Sequence, residues 1–146
     1  MKKLTTKLMI AAAALVAAAG AASAQMQTTL TAQIPFEFRA GKQVMAPGAY
    51  QVDRLSTQTS IPIYRLLDLH SRRSIVLLAR APVDPREAWV AEGRPILEFA
   101  CTSGSCALAE LWSGSDSSAY TFSRPKLGKG EEAVLRVIPL QPGKGE

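Results

Sequence analysis

The stretch TTLTAQIPFEFR, residues 28–39, alternates apolar and polar residues with a period of two. Its apolar positions are Leu30, Ala32, Ile34, Phe36 and Phe38. Successive side chains of a β-strand point to opposite faces, so this pattern predicts one long strand that buries a single face. The stretch therefore indicates a β fold.

Short strand-like segments follow this stretch, separated by turns rich in Gly, Pro and Ser. They are residues 50–53, 61–69, 74–80, 88–91, 96–101, 106–112, 120–122 and 133–138. Both faces are apolar in residues 75–79, which is typical of a central strand covered on both sides. About eight short strands with such turns predict one all-β domain over residues 25–140, either a small antiparallel sandwich or a barrel-like fold. We expect residues 141–146 to form a flexible tail.

The first 24 residues have the three parts of a secretory signal peptide. Three lysines lie within the first seven residues, residues 8–19 are continuously apolar, and Ala22-Ser23-Ala24 supplies the small residues that signal peptidase recognises. A membrane anchor is the alternative, but alanine, which dominates the segment, favours membrane insertion less than leucine or isoleucine does. We therefore predict cleavage before Gln25, a periplasmic or secreted location, and a mature chain that does not span a membrane.

The charge of the mature chain argues against a nucleic-acid partner. Three of the 17 basic residues lie in the signal peptide, which leaves 14 basic and 12 acidic residues, a net charge of +2. The densest basic stretch, residues 65–94, holds six arginines together with four acidic residues. Nucleic-acid binding needs a clustered basic face, whereas mixed signs of this kind are typical of a solvated surface.

Cys101 and Cys106 flank the four-residue turn of a predicted hairpin. Opposed residues at the mouth of an antiparallel hairpin have Cα atoms about 4.5–5.5 Å apart, a separation that suits a disulfide. A redox pair usually has the shorter C-x-x-C spacing, and a metal site needs more ligands than two cysteines and His70. We therefore predict a structural disulfide, no metal site and no cofactor.

The sequence contains no constellation that suggests catalysis. Its single histidine lies in a predicted turn, so a Ser-His-Asp triad is not supported. Glu98 and Glu110 are candidates for a carboxylate pair, but the register of the cysteine hairpin sets Glu98 opposite Ala109 and turns the two carboxylates to opposite faces. Glu110 then shares an apolar face with Leu108 and Trp112, which makes it the weak candidate for a hydrolase. A register shift, a β-bulge or solvent exposure would remove Glu110 from this apolar environment.

Apolar side chains suggest a second kind of role. Phe36, Phe38, Tyr50 and Leu77 would line a cavity in a barrel mouth or between sheets if the protein carried a small apolar ligand. Aromatic residues at strand spacing are also ordinary residues of a hydrophobic core. The sequence leaves both interpretations open.

The segments IPFEF, residues 34–38, and PGAYQV, residues 47–52, follow each other closely after the signal peptide. A predicted hairpin at residues 97–112 ends in a tryptophan. This combination resembles a family of small secreted β-rich proteins from soil bacteria, which pair a PF-x-F strand with a PG-x-Y-x-V strand ahead of a central hairpin that often lacks cysteines. The resemblance implies export and a β fold, and it implies no activity.

These observations favour a non-catalytic exported β-module that acts by protein binding or assembly in the cell envelope. The expected partner is another envelope protein or a second copy of the chain, paired through an edge strand by β-augmentation. The long N-terminal strand is the best candidate for such pairing, and the alternative is that it is an ordinary strand within a sheet. A carrier of a small apolar ligand and a hydrolase that uses Glu110 are the alternatives.

Overall fold

The computed structural model describes residues 29–56, 60–115 and 118–143. The predicted signal peptide, residues 1–24, lies outside the described residues. Twelve strands and one short helix make up the regular structure of the described part, which confirms the predicted all-β class. Within these ranges, no helix has the length and apolar character that a membrane crossing requires.

The elements follow one another closely along the chain. In order they are β1 (Leu30–Ile34), β2 (Phe38–Ala40), β3 (Gln43–Met45), β4 (Gly48–Ser56), β5 (Ile63–Asp68), β6 (Ser74–Leu78), β7 (Pro82–Val83), α1 (Glu87–Glu92), β8 (Ile96–Cys101), β9 (Cys106–Trp112), β10 (Ala119–Thr121), β11 (Val134–Pro139) and β12 (Gln141–Pro142). The hairpins predicted around residues 70–73 and 102–105 are confirmed as β5–β6 and β8–β9.

The strands form two sheets that enclose one core. The first sheet has the order β12-β1-β4-β5-β6, and all its neighbouring strands are antiparallel. The second has the order β11-β8-β9-β10-β7, and β2 joins it by pairing in parallel with β9 and antiparallel with β3. Buried residues of both sheets, among them Ile34, Leu66, Leu97 and Phe99, belong to a single hydrophobic cluster. The arrangement is therefore a β-sandwich.

The alternation in residues 28–39 is confirmed from Leu30 onward, but the prediction of one long strand is wrong. β1 ends at Ile34 in the first sheet, and β2 begins at Phe38 in the second. Pro35 lies at the break. Proline has no backbone N–H to donate to a sheet ladder, so the strand ends there. Leu30 and Phe38 are nevertheless buried in the same cluster, since both sheets face one core. The apolar side of the stretch stays inward while the chain crosses between sheets.

Residues 88–91, predicted as a short strand, lie in the helix α1. The helix begins after Arg86 and ends at Gly93, which has φ +63° and donates its N–H to the carbonyl oxygen of Trp89. Glycine adopts this left-handed conformation without a steric penalty. Trp89 is buried in a second, smaller cluster that includes Trp112. The prediction was wrong because an alternation over four residues is too short to distinguish a strand from a single helical turn.

Candidate functional site

The four residues predicted to line a ligand pocket lie together in the core. Phe38, Tyr50 and Leu77 are buried, and Phe36 packs against the same cluster with part of its surface exposed. The Phe38 ring centroid lies 5.2 Å from that of Tyr50 and 5.3 Å from that of Phe99, both in edge-to-face geometry. Aromatic contacts of this kind stabilise a packed interior. The set forms the centre of the sandwich.

The hydroxyl group of Tyr50 is held at the edge of this aromatic set. It donates a hydrogen bond to the carbonyl oxygen of Ala46 at 2.5 Å. Burial raises the pKa of Tyr50 to about 12, the nearby charge of Asp68 raises it too, and Arg73 opposes them. The Tyr50 hydroxyl group is therefore neutral and hydrogen-bonded, and it does not act as a base near neutral pH.

The predicted disulfide between Cys101 and Cys106 is confirmed. Their Cα atoms lie 3.9 Å apart at the mouth of the β8–β9 hairpin. The N–H of Thr102 donates to the carbonyl oxygen of Ser105 at 2.8 Å and closes the turn between them. Cys106 also pairs with Phe38 where β2 joins β9. The bridge therefore ties the hairpin at the point where the crossing N-terminal segment enters the second sheet.

Glu98 and Glu110 lie on the same face of the second sheet, contrary to our prediction. Phe99 pairs with Leu108, but the register then shifts and Glu98 pairs with Glu110. Ala109 is the additional residue of a β-bulge, and a shift of one residue moves the side chains beyond it to the other face. Glu110 therefore does not share the core-facing side of Leu108. The prediction was wrong because it extended the register of the cysteine pair without interruption.

Glu98 is buried and paired at the start of α1. Its side chain is 3% exposed, and the Arg86 Nη2 donates to its Oε1 at 3.1 Å. The Arg86 guanidinium carbon also lies 5.3 Å from the centroid of the Trp89 ring, a distance that allows a cation–π interaction. Burial raises the pKa of Glu98, while Arg86 opposes the shift and Glu110 adds to it. The Arg86 guanidinium holds this carboxylate, so Glu98 has a structural role that fastens the start of α1 to the sheet.

Glu98→Gln is expected to change how stability depends on pH. Because folding raises the pKa of Glu98, its contribution is most favourable below the pKa of the unfolded chain and is lost as pH rises through the folded pKa. Glutamine keeps the shape and an acceptor oxygen but does not titrate. In urea unfolding at pH 7 and pH 4.5, the unsubstituted protein should gain stability relative to Glu98→Gln at the lower pH.

Glu87→Gln, on the exposed side of α1, controls for the loss of one negative charge. If the stability of the unsubstituted protein relative to that of Glu98→Gln is the same at both pH values, or is greater at pH 7 than at pH 4.5, the burial of an ionisable Glu98 is contradicted.

β6 is an edge strand, and the prediction that residues 75–79 form a covered central strand is wrong. Among the strands that the structure describes, β6 pairs with β5 alone. Ile75 and Leu77 are buried in the core, whereas Val76 and Leu78 on the other face are 54% and 69% exposed. The continuous apolar run therefore results from aliphatic side chains on a solvent-facing surface.

Alternate backbone groups of β6 point away from the sheet. The Asp68 N–H donates to the carbonyl oxygen of Arg73, and the Ala79 N–H donates to that of Pro62. In an antiparallel pair, hydrogen-bonded positions alternate with positions whose backbone groups point outward. Position 73 and every second residue up to position 79 therefore bond to β5. The outward N–H and C=O groups belong to Ser74, Val76 and Leu78.

The N-terminal strand, our predicted pairing edge, lies inside its sheet. β1 pairs with β4 on one side and with β12 on the other. The Gly143 N–H also donates to the carbonyl oxygen of Thr29 at 2.7 Å. Gln141 and Pro142, which we predicted as part of a flexible tail, thus cover the edge of β1. The alternative interpretation, an ordinary strand within a sheet, is therefore confirmed, and the N-terminal strand is not a pairing edge. A local pattern does not show the contacts that come from the far end of the chain.

The other marginal strands carry features that discourage pairing. β12 and β7 have two residues each, and each includes a proline. β3, which pairs with β2 alone, has only three residues. β11 ends in Pro139 and carries Arg136, whose guanidinium carbon lies 5.3 Å from the centroid of the Phe36 ring. Short length, proline and inward-pointing charge are means by which natural sheets protect their edges. β6 has five residues, SIVLL, with neither a charge nor a proline.

Sequence reasoning missed Val76 and Leu78 as surface residues. The sequence signal that could have identified them is the presence of basic residues on both sides of the apolar run. Arg72 and Arg73 precede the run and Arg80 follows it. Charged residues placed at both ends of an exposed aggregation-prone strand act as gatekeepers. That pattern distinguishes an exposed edge from a strand buried between two layers.

Comparisons of this chain with protein-family models, with curated proteins and with solved structures find no match.

Proposed function

We propose that this chain is a non-catalytic exported module that acts by protein binding in the cell envelope, and that it binds by adding a partner strand to β6. The observation that carries the proposal is the edge of β6, which pairs with no described strand other than β5 and has exposed Val76 and Leu78 and no charge or proline. An added strand would take up the outward backbone groups and cover the two aliphatic side chains, which is the physical basis of β-augmentation.

Export is supported by two independent features. Residues 1–24 have the composition of a signal peptide, and the Cys101–Cys106 disulfide suits an oxidising compartment. A non-catalytic role is supported by the state of the Glu98–Glu110 pair, since Glu98 is buried and bound by Arg86. Among the residues predicted to line a ligand pocket, Phe38 and Tyr50 are in direct ring contact, which supports a packed core over a ligand cavity.

Site-specific photo-crosslinking in the cells that make the protein tests this proposal. A photoreactive residue in place of Val76 is expected to give a protein adduct of defined mass, and adding Leu78→Lys should abolish it because a charge on the strand opposes burial. The matched control is a photoreactive residue in place of Val90, which is 53% exposed on α1. Equal adducts at both positions, no adduct at Val76, or an adduct that survives Leu78→Lys would contradict binding at β6.

A further inference from the structure

We propose that the strand added to β6 comes from a different protein, has apolar residues at alternate positions, and carries a carboxylate at each end. The inference rests on the proposed function and names the chemistry of its partner. It is carried by the charges that bracket β6 and by the way a second copy would align with them.

Positive charge lies at both ends of the β6 edge. Arg72 and Arg73 precede the strand and Arg80 follows it, and all three are exposed. Within residues 29–56, 60–115 and 118–143, no carboxylate lies within ion-pair distance of these three guanidinium groups. The nearby Asp68 directs its Oδ1 to the backbone N–H groups of the following turn. The arginines are therefore available to charges on a partner.

A second copy of the chain fits this edge poorly. If two β6 strands pair antiparallel about Val76, the end of each strand that Arg80 follows lies beside the end of the other that Arg72 and Arg73 precede. If they pair in parallel and in register, each arginine lies beside its own counterpart. Like charges directly opposed on neighbouring strands are destabilising, whereas opposite charges stabilise the pairing. The edge therefore disfavours self-association and favours a strand with acidic ends.

The open part of the β6 edge sets the length of the partner strand. Arg72 lies in the preceding turn with φ +62°, and the Arg80 N–H donates to the carbonyl oxygen of Thr121, so the open edge is β6 itself, Ser74–Leu78. A matching segment therefore has about seven residues, five along β6 and a carboxylate just beyond each end. Between them, side chains on the outer face should be apolar, since they lie beside Val76 and Leu78.

Two synthetic peptides test this inference on the mature protein. EVTVTVE places its three valines opposite Ser74, Val76 and Leu78 and one carboxylate just beyond each end of this open segment, where the long arginine side chains can reach it, and KVTVTVK differs only in its two end charges. Both have acetylated and amidated termini. Binding is read from the slowing of amide hydrogen exchange at Val76 and Leu78 as peptide is added. The acidic peptide is expected to bind about tenfold more tightly at low salt, because opposed charges at two positions change sign.

Matched variants test which residues cause the preference for the acidic peptide. In Arg72→Ser/Arg80→Ser, the preference for the acidic peptide should fall to about twofold or less, and raising the salt concentration should reduce it in the unsubstituted protein as well. Leu78→Lys should weaken binding of both peptides, while Val90→Lys should not.

The outcomes separate this inference from the proposed function. Equal protection of β6 by both peptides, or tighter binding of the basic one, would overturn the acidic partner and leave strand addition intact. Protection of Val76 and Leu78 that increases with protein concentration alone would show that a second copy is the occupant and would also overturn it. Protection of these amides by neither peptide would contradict both proposals.

Discussion

Phe38→Ala is expected to lower the free energy of unfolding by about 3–5 kcal/mol, the usual cost of removing a buried aromatic ring. Phe38 is 1% exposed and its ring contacts Tyr50 from the first sheet and Phe99 from the second. Removing it leaves a cavity where the two sheets meet. Domains of this size have total stabilities of about 5–15 kcal/mol, so urea unfolding should show a large shift of the midpoint.

Val44→Ala is the matched control for this substitution. Val44 lies on β3, the hairpin partner of β2, and is 50% exposed, so its truncation should cost less than about 1 kcal/mol. If Phe38→Ala does not fold, Phe38→Leu keeps part of the buried area and should give a smaller, measurable loss. A loss below about 1 kcal/mol for Phe38→Ala would contradict a packed aromatic centre.

Removing the disulfide is expected to cost roughly 2 kcal/mol, the value that the chain-entropy model gives for a six-residue loop. In Cys101→Ala/Cys106→Ala, the hairpin keeps its strand pairing but loses the covalent closure next to β2. Urea unfolding of the two proteins in the presence and absence of a reductant measures the effect.

The reductant supplies the internal control for the cysteine variant. It should lower the midpoint of the unsubstituted protein towards that of Cys101→Ala/Cys106→Ala and leave the variant unchanged. If the reductant leaves the unsubstituted protein unaffected while its thiols become accessible to alkylation, the bridge does not stabilise the fold.

Local patterns in the sequence predicted the class of the fold because they report which side of each strand is buried. The alternation around Ile34 and Phe38 is inward-facing as predicted, and the hairpin closed by Cys101 and Cys106 is present. These features depend on residues close together in the chain. Period-two alternation and turn residues are sufficient to detect them.

The errors concern features that depend on distant parts of the chain. The bulge at Ala109, which brings Glu98 opposite Glu110, leaves no mark in the apolar pattern. The cover on β1 comes from Gln141 and Pro142, more than a hundred residues away. The position of β6 at an edge is likewise set by sheet order. Whether a strand edge is free depends on which other strands lie beside it in the sheet. Local periodicity in the sequence does not show which strands those are.

The central claim is that β6 presents an unpaired edge, and residue-specific amide hydrogen exchange of the dilute, monomeric protein tests it most directly. Amides bonded to β5 should exchange slowly, while those that point outward should exchange fast. The account predicts slow exchange at Ile75 and Leu77 and fast exchange at Val76 and Leu78. Exchange at Val76 and Leu78 as slow as at Ile75 and Leu77 would show that the edge is already covered within one chain and would contradict the account.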